Sequence, residues 1–406
     1  MSGYRLSLPC LHDHHSHVSL YASFEGLPDI GGLDANAALS LLRSLPGERL
    51  SIVRGWRTDR LSLGQDGSWA ALERMPPLVL VNASLHGYAF SPSAIPRIAE
   101  LWPEFAEKAT EPLWGERNLP RLFVFYGRLA GLDKAKLTSF MDRMAGLGIG
   151  SLEDMTLAGE SELALMSSPP FALRISAWAT PEVYSGLSPG AREGCAGIKI
   201  FLDGSLGARS AALDAPFLGG EEGSLLYSDR ALTELLAELS SYRKPLSAHA
   251  IGHRAIAQAL RCLGELGSAG PGFPSIRLEH AQFISFEQAK RCKELGIVLS
   301  MQPNFNSDST DYADRLIPRH RDENDPFRML IDKAGFAPGK DLIFGSDGMP
   351  HGPEYALGLS LFPSRDSQKL GIEELEAGYG PARGYSGPSS RFLADPASKK
   401  VARLGS

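Results

Sequence analysis

The chain has 406 residues, of which 43% are hydrophobic and 22% charged, as is typical of a globular protein with a sizeable core. Its 41 basic and 47 acidic residues give a net charge of −6 without a basic block, which argues against nucleic acid or an anionic membrane as a partner. We find no uninterrupted apolar run of ~18 residues and no signal peptide. The four cysteines are scattered, so we expect reduced thiols and a cytoplasmic location.

Eight short apolar runs recur along the chain, and most are followed by a polar or glycine-containing segment and then a helical pattern. In chain order they are RLSLPCLHDHH, GIGSLEDM, FALRISAWA, GIKIFLDG, PLSAHAIG, SIRLEHAQ, GIVLSMQPN and DLIFGSDG. Alternating buried strands and helices indicate a parallel β/α architecture. Eight such units predict an α/β protein built as a (β/α)8 TIM barrel.

A long segment between the first and second runs breaks this rhythm, and a connection of that length must carry structure of its own. We predict a large insertion after strand 1, about residues 20–146, that lies over the barrel mouth. The barrel should occupy residues 1–362. Residues 363–406 should form a C-terminal helix and a polar tail.

Four of the ten histidines lie in the stretch HDHHSH. Because residues i and i+2 of a strand share a face, Asp13, His15 and His17 would point one way, and His12 and His14 the other. Two imidazoles at this spacing, at the carboxyl end of a barrel strand, can hold one divalent ion. The register stays open at this point, because His12 and His14 form the same H-x-H spacing. A histidine-rich run can also be a tag or a solvated loop.

Other apolar runs end in polar side chains of the same kind. His249, His280 and Asp347 lie near the ends of LSAHAIG, RLEHAQ and LIFGSDG, and Lys199 lies in GIKIFLDG. A single buried histidine is more often a hydrogen-bonded core residue than a ligand. That interpretation would have to hold at five separate strands, however, and barrels keep their active sites at the carboxyl ends of the strands. The pattern therefore indicates one metal site at the barrel mouth.

Together these phrases resemble the amidohydrolase superfamily, in the branch of YtcJ-like proteins and N-substituted formamide deformylases. The shared phrases are DHHSH, GIKIFLDGSLGARSAAL, HAIGHRAI, RLEHAQ, SMQPNF and FGSDG, and they occur in the family's order. The resemblance covers roughly residues 11–361. It implies a metal-dependent TIM barrel, and it favours the register that uses His15 and His17, because the family has Asp-x-His-x-His.

The resemblance also implies roles for individual residues. The implied metal ligands are His15, His17, Lys199, His249, His280 and Asp347. They would hold one or two divalent ions, with zinc as the first choice. Lys199 would be carboxylated in a two-metal site and a plain amine in a one-metal site. Asp347 would also take a proton from the metal-activated water, which makes Asp347 and Lys199 the predicted catalytic residues.

Two further residues are predicted to bind substrate. His86 resembles a family position near the substrate, and the alternative is an exposed loop histidine. Arg209 is suited to a substrate carboxylate, and the alternative is an ion pair with Asp203.

Four residues are predicted to support the ligands from behind. Asp13 and Asp154 would orient them or simply cap strand ends. Asp203 belongs to the same group. His253 stands where the family commonly has aspartate, which would change a supporting hydrogen bond or the substrate preference.

The implied function is hydrolysis of a non-peptide C–N bond, an amide or cyclic amide in a small-molecule substrate, by metal-activated water with Asp347 as general base. The alternatives are a deaminase or lactonase of the same superfamily, or a non-catalytic binding or regulatory relative. Members usually carry a small β-sandwich built from both chain ends. In this chain we expect little or none, and the apolar surface left uncovered would favour a homodimer.

Overall fold

The computed structural model of the chain describes residues 3–56, 61, 70–82, 85, 87–111, 114–267 and 272–404. The chain divides into two compact units. One unit comprises Met1–Ser19 and Thr138–Ser406, and the other comprises Leu20–Leu137. Within the described residues, no helix combines the length and apolar character needed to span a bilayer.

The described residues form β-strands in both units. In chain order they are β1 (Tyr4–Leu8), β2 (Leu11–Ser16), β3 (Ser51–Trp56), β4 (Leu78–Asn82), β5 (Tyr88–Phe90), β6 (Ile149–Asp154), β7 (Ile175–Ala179), β8 (Gly197–Phe201), β9 (Leu246–Ala250), β10 (Ile276–His280), β11 (Val298–Met301), β12 (Leu342–Phe344), β13 (Ser390–Asp395) and β14 (Lys400–Arg403).

The α-helices of the described residues follow the same order. They are α1 (Val18–Ser23), α2 (Ala35–Arg43), α3 (Ile95–Leu101), α4 (Pro103–Lys108), α5 (Trp114–Arg117), α6 (Leu119–Ala130), α7 (Lys134–Leu147), α8 (Glu160–Met166), α9 (Pro181–Gly186), α10 (Pro189–Gly194), α11 (Asp229–Ser240), α12 (His253–Gly267), α13 (Phe286–Glu294), α14 (Asp308–Asp311), α15 (Pro318–Glu323), α16 (Pro353–Leu361) and α17 (Ile372–Tyr379).

The larger unit is a parallel barrel. Its eight strands lie in chain order, from β2 through β6, β7, β8, β9, β10 and β11 to β12, and every neighbouring pair is parallel. The ends of this sheet meet where the backbone N–H of Asp347, just after β12, donates to the carbonyl of His15 in β2 at 2.7 Å. The predicted (β/α)8 barrel is confirmed, and each of the eight apolar runs contributes one barrel strand.

Local sequence signals start several of the helices that connect these strands. Ser228, Ser285 and Thr180 lie just before α11, α13 and α9, and each side chain accepts a hydrogen bond from the first turn. A cap of this kind stabilises a helix by about 1 kcal/mol. These caps fix where the chain turns from the carboxyl end of a strand or loop into the helix that returns along the barrel.

Both chain ends contribute to a second, three-stranded sheet in which β13 lies between β1 and β14. All pairs are antiparallel, and Tyr4 pairs with Ala394 and Leu8 with Ser390. In β13, Ser390, Phe392 and Ala394 are buried while the residues between them are exposed, as expected for a sheet with one covered face. The first apolar run therefore holds two strands, and the predicted polar tail contains a hairpin in addition to helix α17.

The smaller unit contains a three-stranded sheet in the order β3, β4, β5. Strands β3 and β4 are parallel, and β5 pairs antiparallel with β4. Alternate residues of β4 enter two different hydrophobic cores, with Val79 and Val81 in one and Leu78 and Leu80 in the other. The sheet is thus covered on both faces, which gives this unit an internal core of its own.

Barrel closure should depend on the absence of a side chain at Gly345. A Cβ atom there would lie 2.3 Å from the backbone nitrogen of His15. We expect Gly345→Ala to lower the free energy of unfolding by about 1–3 kcal/mol, because the backbone has to shift to make room for the methyl group. Gly190→Ala is the control, since its Cβ would meet nothing within 4 Å. The measurement is the urea midpoint of both variants, and equal midpoints would contradict the prediction.

Candidate metal centre

The histidine-rich strand β2 is irregular, and this decides where its side chains point. Its register with β6 shifts between Leu11 and His12 and again between Asp13 and Ser16. Such shifts break the alternation of faces along a strand. The four histidines are all buried, with exposed fractions of 2% for His12, 9% for His14, 1% for His15 and 5% for His17.

Both H-x-H pairs face the interior of the barrel. His12 Nε2 and His14 Nδ1 each lie 3.2 Å from Glu153 Oε1 of β6. The other oxygen of Glu153 accepts a hydrogen bond from Arg277 of β10 at 2.7 Å. Because β7, β8 and β9 separate β6 from β10 in the sheet, that contact crosses the lumen. The prediction that His12 and His14 point away from His15 is therefore wrong, and the irregular register of β2 with β6 is the reason.

Four of the predicted ligands meet at the carboxyl ends of β2, β10 and β12. The ligand atoms of His15, His280 and Asp347 all lie within 4.8 Å of one another. Asp347 Oδ1 is 3.0 Å from His17 Nε2 and 3.6 Å from His15 Nε2. The ring centres of His15 and His280 are 4.9 Å apart. This is the convergence that a shared cation requires.

The backbone at His280 turns its side chain into this site. Glu279 and His280 are neighbours in β10 and would normally point to opposite faces. Both contact His15, because His280 has a left-handed backbone with φ of 70°. Asp347 also has a left-handed backbone, with φ of 54°. Non-glycine residues rarely adopt this conformation, and those that do are concentrated at functional sites.

One ring nitrogen in each of three predicted ligand histidines is held by a neighbouring side chain. The pairs are His15 Nδ1 with Glu279 Oε2 at 2.6 Å, His17 Nδ1 with Thr156 Oγ1 at 2.7 Å, and His280 Nδ1 with Gln302 Oε1 at 2.7 Å. Metal-binding histidines commonly use one ring nitrogen in this way, which leaves the other for the metal. Thr156, Glu279 and Gln302 were not predicted, although Glu279 lies within the RLEHAQ phrase.

The protonation states also suit a cation. Burial lowers the pKa of His15 and, further, that of His280, so both imidazoles are neutral at pH 7. Burial acts to raise the pKa of Asp347, but its contacts with His15 and His17 hold it below the ordinary value. Neutral imidazoles and an ionised carboxylate are the forms that bind divalent metals. The residues present therefore fit the metal that the sequence implied.

Lys199 of β8 carries a buried amine close to the predicted ligands His15 and Asp347. Its side chain is fully buried, and Nζ has no hydrogen-bond partner in the described part of the chain. Burial lowers its pKa to about 8, although Glu279 acts to raise it. Burying an amine without a partner costs several kcal/mol. A bound ligand or a chemical modification of Nζ would supply the missing partner.

His249 lies beside the cluster but turns its Nε2 elsewhere. Its ring centre is 4.5 Å from that of His280. Its Nε2 is 3.1 Å from the carbonyl oxygen of Gly204 and 3.5 Å from Asp203 Oδ1. Its role as a metal ligand stays a prediction.

Asp203 supports the loops around His249. Its carboxylate accepts backbone hydrogen bonds from Ala212, Ile251 and Gly252 at 2.8–3.0 Å. Burial nevertheless raises its pKa to about 7. Asp203 thus ties the loop after β8 to the start of α12, directly behind His249.

Asp13 also binds backbone N–H groups, in this case at the end of the first barrel strand, β2. It accepts hydrogen bonds from the backbone of His15 at 3.1 Å, from the backbone of Ser346 at 2.9 Å and from the Ser346 hydroxyl. Burial raises its pKa to about 7 and that of Asp154, which is also fully buried, to about 6. Asp13 therefore joins the ends of β2 and β12, the two strands that carry His15 and Asp347.

Arg209, one of the two residues predicted to bind substrate, is part-exposed and forms an ion pair with Glu221. The alternative pairing with Asp203 is wrong, because that carboxylate is occupied by backbone N–H groups. His86, the other residue, lies outside the described residues. The substrate-binding roles of both residues stay predictions.

His253 belongs to a separate polar cluster at the start of α12. Its ring nitrogens lie 3.7 Å from Asp214 and 3.3 Å from Glu323. His320 lies 2.8 Å from Asp214, so His253, His320 and Asp214 also resemble a ligand set. Arg319, however, makes two hydrogen bonds to the carboxylate of Asp214, at 2.7 and 2.9 Å. A guanidinium in this position already neutralises Asp214 and disfavours a cation.

A buried ionic network that the sequence did not predict lies in the lumen. Arg277 Nε donates to Glu279 at 2.5 Å, and its terminal nitrogens donate to Glu153 at 2.7 Å and to the carbonyl of His14 at 2.8 Å. The guanidinium also lies 4.6 Å from the ring of Trp178. The contacts with Glu153 and Glu279 raise the pKa of Arg277 against the effect of its burial.

Comparison with known proteins gives consistent matches. The model of the amidohydrolase family matches residues 5–354. The putative amidohydrolase YtcJ of Bacillus subtilis (strain 168) is 31% identical over 122 residues, which cover 29% of this chain and only 23% of that relative.

Two crystal structures share the fold over nearly the whole chain. One is an uncharacterized metal-dependent hydrolase from Pyrococcus horikoshii OT3, with a TM-score of 0.66 and 21% identity over 97% of this chain and 86% of that chain. The other is an uncharacterized metal-dependent hydrolase from Pyrococcus furiosus, with a TM-score of 0.65 and 20% identity over 97% of this chain and 88% of that chain.

Arg277 should be far more important for stability than a surface arginine with one ion pair. We expect Arg277→Met to lower the free energy of unfolding by about 3–5 kcal/mol, because it removes the buried guanidinium that two buried carboxylates share. Arg230→Met removes an exposed pair with Glu234 and should change it by less than about 1 kcal/mol. Thermal and urea unfolding measure both, and a similar small change in each would contradict the prediction.

Proposed function

The chain belongs to the amidohydrolase family, and from this membership we propose that it is a metal-dependent hydrolase of a small-molecule amide or cyclic amide. The observation that carries the proposal is the convergence of His15, His280 and Asp347 within 4.8 Å at the carboxyl ends of three barrel strands. His17 supports it, because its Nε2 is 3.0 Å from Asp347. Barrel enzymes keep their catalytic groups at this end of the strands.

The proposed ligands are His15, His17, His280 and Asp347, with His249 and Lys199 completing the set. A divalent cation held by them, zinc as the first choice, would supply Lewis acidity that makes water more acidic and polarises a carbonyl group. The site would hold two ions if Lys199 is carboxylated and one ion if Lys199 is a plain amine.

Asp347 is the proposed general base. It is an ionised carboxylate whose lowered pKa suits proton acceptance only when the proton is passed on quickly. It accepts the proton of the attacking water and donates it to the leaving nitrogen. Attack on the carbonyl forms the C–O bond of a tetrahedral intermediate, and the C–N bond breaks when that intermediate collapses. The nitrogen leaves with the proton from Asp347, and the new carboxylic acid loses its own proton to solvent. The products are a carboxylate and an amine, which stay in one molecule when the amide is cyclic.

Lys199 is proposed to be carboxylated on Nζ. Its burial lowers the pKa to about 8, which leaves a fraction of the amine neutral and able to react with carbon dioxide. A carbamate would replace a cation by an anion with two oxygens beside the ligands. It would also give hydrogen-bonding or metal-binding partners to a side chain whose Nζ has none among the described residues.

Metal content tests the site itself. We expect the purified chain to hold one or two equivalents of a divalent metal and His280→Ala to lose most of it, because a ligand is removed. His253→Ala is the matched control, since it belongs to the cluster that Arg319 already neutralises, and should keep its metal. Elemental analysis measures all three proteins. A wild-type chain that neither holds nor takes up zinc, manganese or iron would exclude the proposed function.

Asp347→Asn tests the proposed general base. We expect the variant to stay folded and turnover to fall by about 10²–10⁴-fold, because the amide cannot accept the proton. Asp214→Asn, in the cluster around His253, should retain turnover. The assay is a panel of N-acyl, N-formyl and cyclic amides with metal-loaded protein, and with esters and lactones as the competing substrate class. Undiminished turnover in Asp347→Asn would show that another residue is the base.

Lys199→Ala tests the carbamate. We expect turnover to be lost and to be partly restored by added short carboxylic acids, which can occupy the place of the carbamate. Lys244→Ala is the control, because that amine donates to two backbone carbonyls away from the ligands. If Lys199→Ala keeps the wild-type metal content and carboxylic acids restore nothing, a plain amine and a one-metal site replace this part of the proposal.

A further inference from the structure

We propose that Glu279 is a positioning residue that fixes the orientation and the proton of the metal ligand His15. The inference rests on the proposed function, since it concerns the same ligand. It assigns a task to a residue that neither the sequence pattern nor the comparisons single out. The task is specific to one ring nitrogen of one ligand.

The two oxygens of Glu279 are divided between different partners. Oε2 lies 2.6 Å from His15 Nδ1, and Oε1 accepts from Ser247 Oγ at 2.7 Å and from Arg277 Nε at 2.5 Å. Glu279 is fully buried, so no bulk solvent competes with these contacts. Held from two sides, the carboxylate has one orientation.

This orientation determines the tautomer of His15. An ionised carboxylate can only accept hydrogen bonds, so His15 Nδ1 must carry the hydrogen. The lone pair then lies on Nε2, the atom that is 3.6 Å from Asp347 Oδ1. A hydrogen bond to a carboxylate also makes the imidazole a stronger donor to a metal.

Arg277 keeps Glu279 in its ionised form. Arg277 Nε lies 2.5 Å from Glu279 Oε1, and an ion pair at this distance favours the charged carboxylate. Arg277 is itself fixed by Glu153 and by the carbonyl of His14. The charge that faces His15 is therefore part of a rigid arrangement anchored on β6 and β2, and not an isolated acid in the lumen.

The competing explanation is that Glu279 only balances the charge of Arg277. Glu153 separates the two explanations, because it is the other buried carboxylate bound to Arg277. Apart from Arg277, the two carboxylates have different partners. The side chain of Glu153 contacts His12, His14, Trp178 and Arg383. A role limited to charge balance would make the two carboxylates equivalent, whereas positioning of His15 is a task for Glu279.

The experiment compares Glu279→Gln with Glu153→Gln in the full chain, and zinc is the probe. Zinc affinity is measured by competition with a chelator, and the absorption spectrum of the cobalt-loaded protein reports ligand geometry. Both variants should lose thermal stability. We expect Glu279→Gln to weaken zinc binding by about 10–100-fold and to change the cobalt spectrum. Glu153→Gln should leave both unchanged, because Ser247 and Arg277 still hold Glu279 and the carbonyl of His14 still holds Arg277.

Glu279→Asp guards against a Glu279→Gln variant that fails to fold. It keeps the negative charge beside Arg277 but shortens the side chain by one methylene. The carboxylate then cannot reach His15 while it also holds Ser247 and Arg277, so zinc binding should again weaken by at least about 10-fold.

Two results would overturn the inference while leaving the proposed function in place. One is wild-type zinc affinity in both Glu279 variants, and the other is an equal loss of affinity in Glu279→Gln and Glu153→Gln. A wild-type chain that binds no zinc or cobalt gives a different result, because it removes the proposed function itself.

Discussion

The ionic contacts inside the barrel centre on one buried side chain, the guanidinium of Arg277, which is shared between Glu279 and Glu153 across the lumen. Barrel interiors are usually filled by branched apolar side chains. Beneath the candidate metal centre of this barrel the filling is ionic, and its parts are individually costly to bury. The arrangement is tolerable because the carboxylates and the guanidinium have partners of opposite charge or carbonyl groups. These side chains form a polar layer in the lumen beside the strand ends of β2 and β10 that carry His15 and His280.

The sequence predicted the barrel and indicated most residues of the candidate centre, because both leave local signals. Eight apolar runs marked eight strands, and polar residues near the ends of those runs marked His15, His17, His280 and Asp347. These signals can be recognised in one sequence because a buried strand and its end each involve only a few consecutive residues. The RLEHAQ phrase even contained Glu279, but nothing in the pattern distinguishes a ligand from its support.

The rest depended on contacts between residues far apart in the chain. The irregular register that lets both H-x-H pairs face inward arises from pairing with β6, and the left-handed backbone at His280 breaks the alternation on which the prediction relied. Arg209 forms an ion pair with Glu221, which no strand pattern in the sequence indicates. The hairpin β13–β14 was missed because its strands are short and half exposed, so their composition is that of a polar tail.

The pairing of β1 with β13 has a consequence for the order in which the molecule can form. Only Pro9 and Cys10 separate β1 from the histidine strand, yet the partner of β1 lies almost four hundred residues further along the chain. During synthesis the first strand must wait until this distant part has left the ribosome before it can pair. Contacts of such long sequence separation form slowly. The histidine-rich segment is therefore made early and secured late, so a nascent chain carries potential metal ligands well before it has a completed place to hold them.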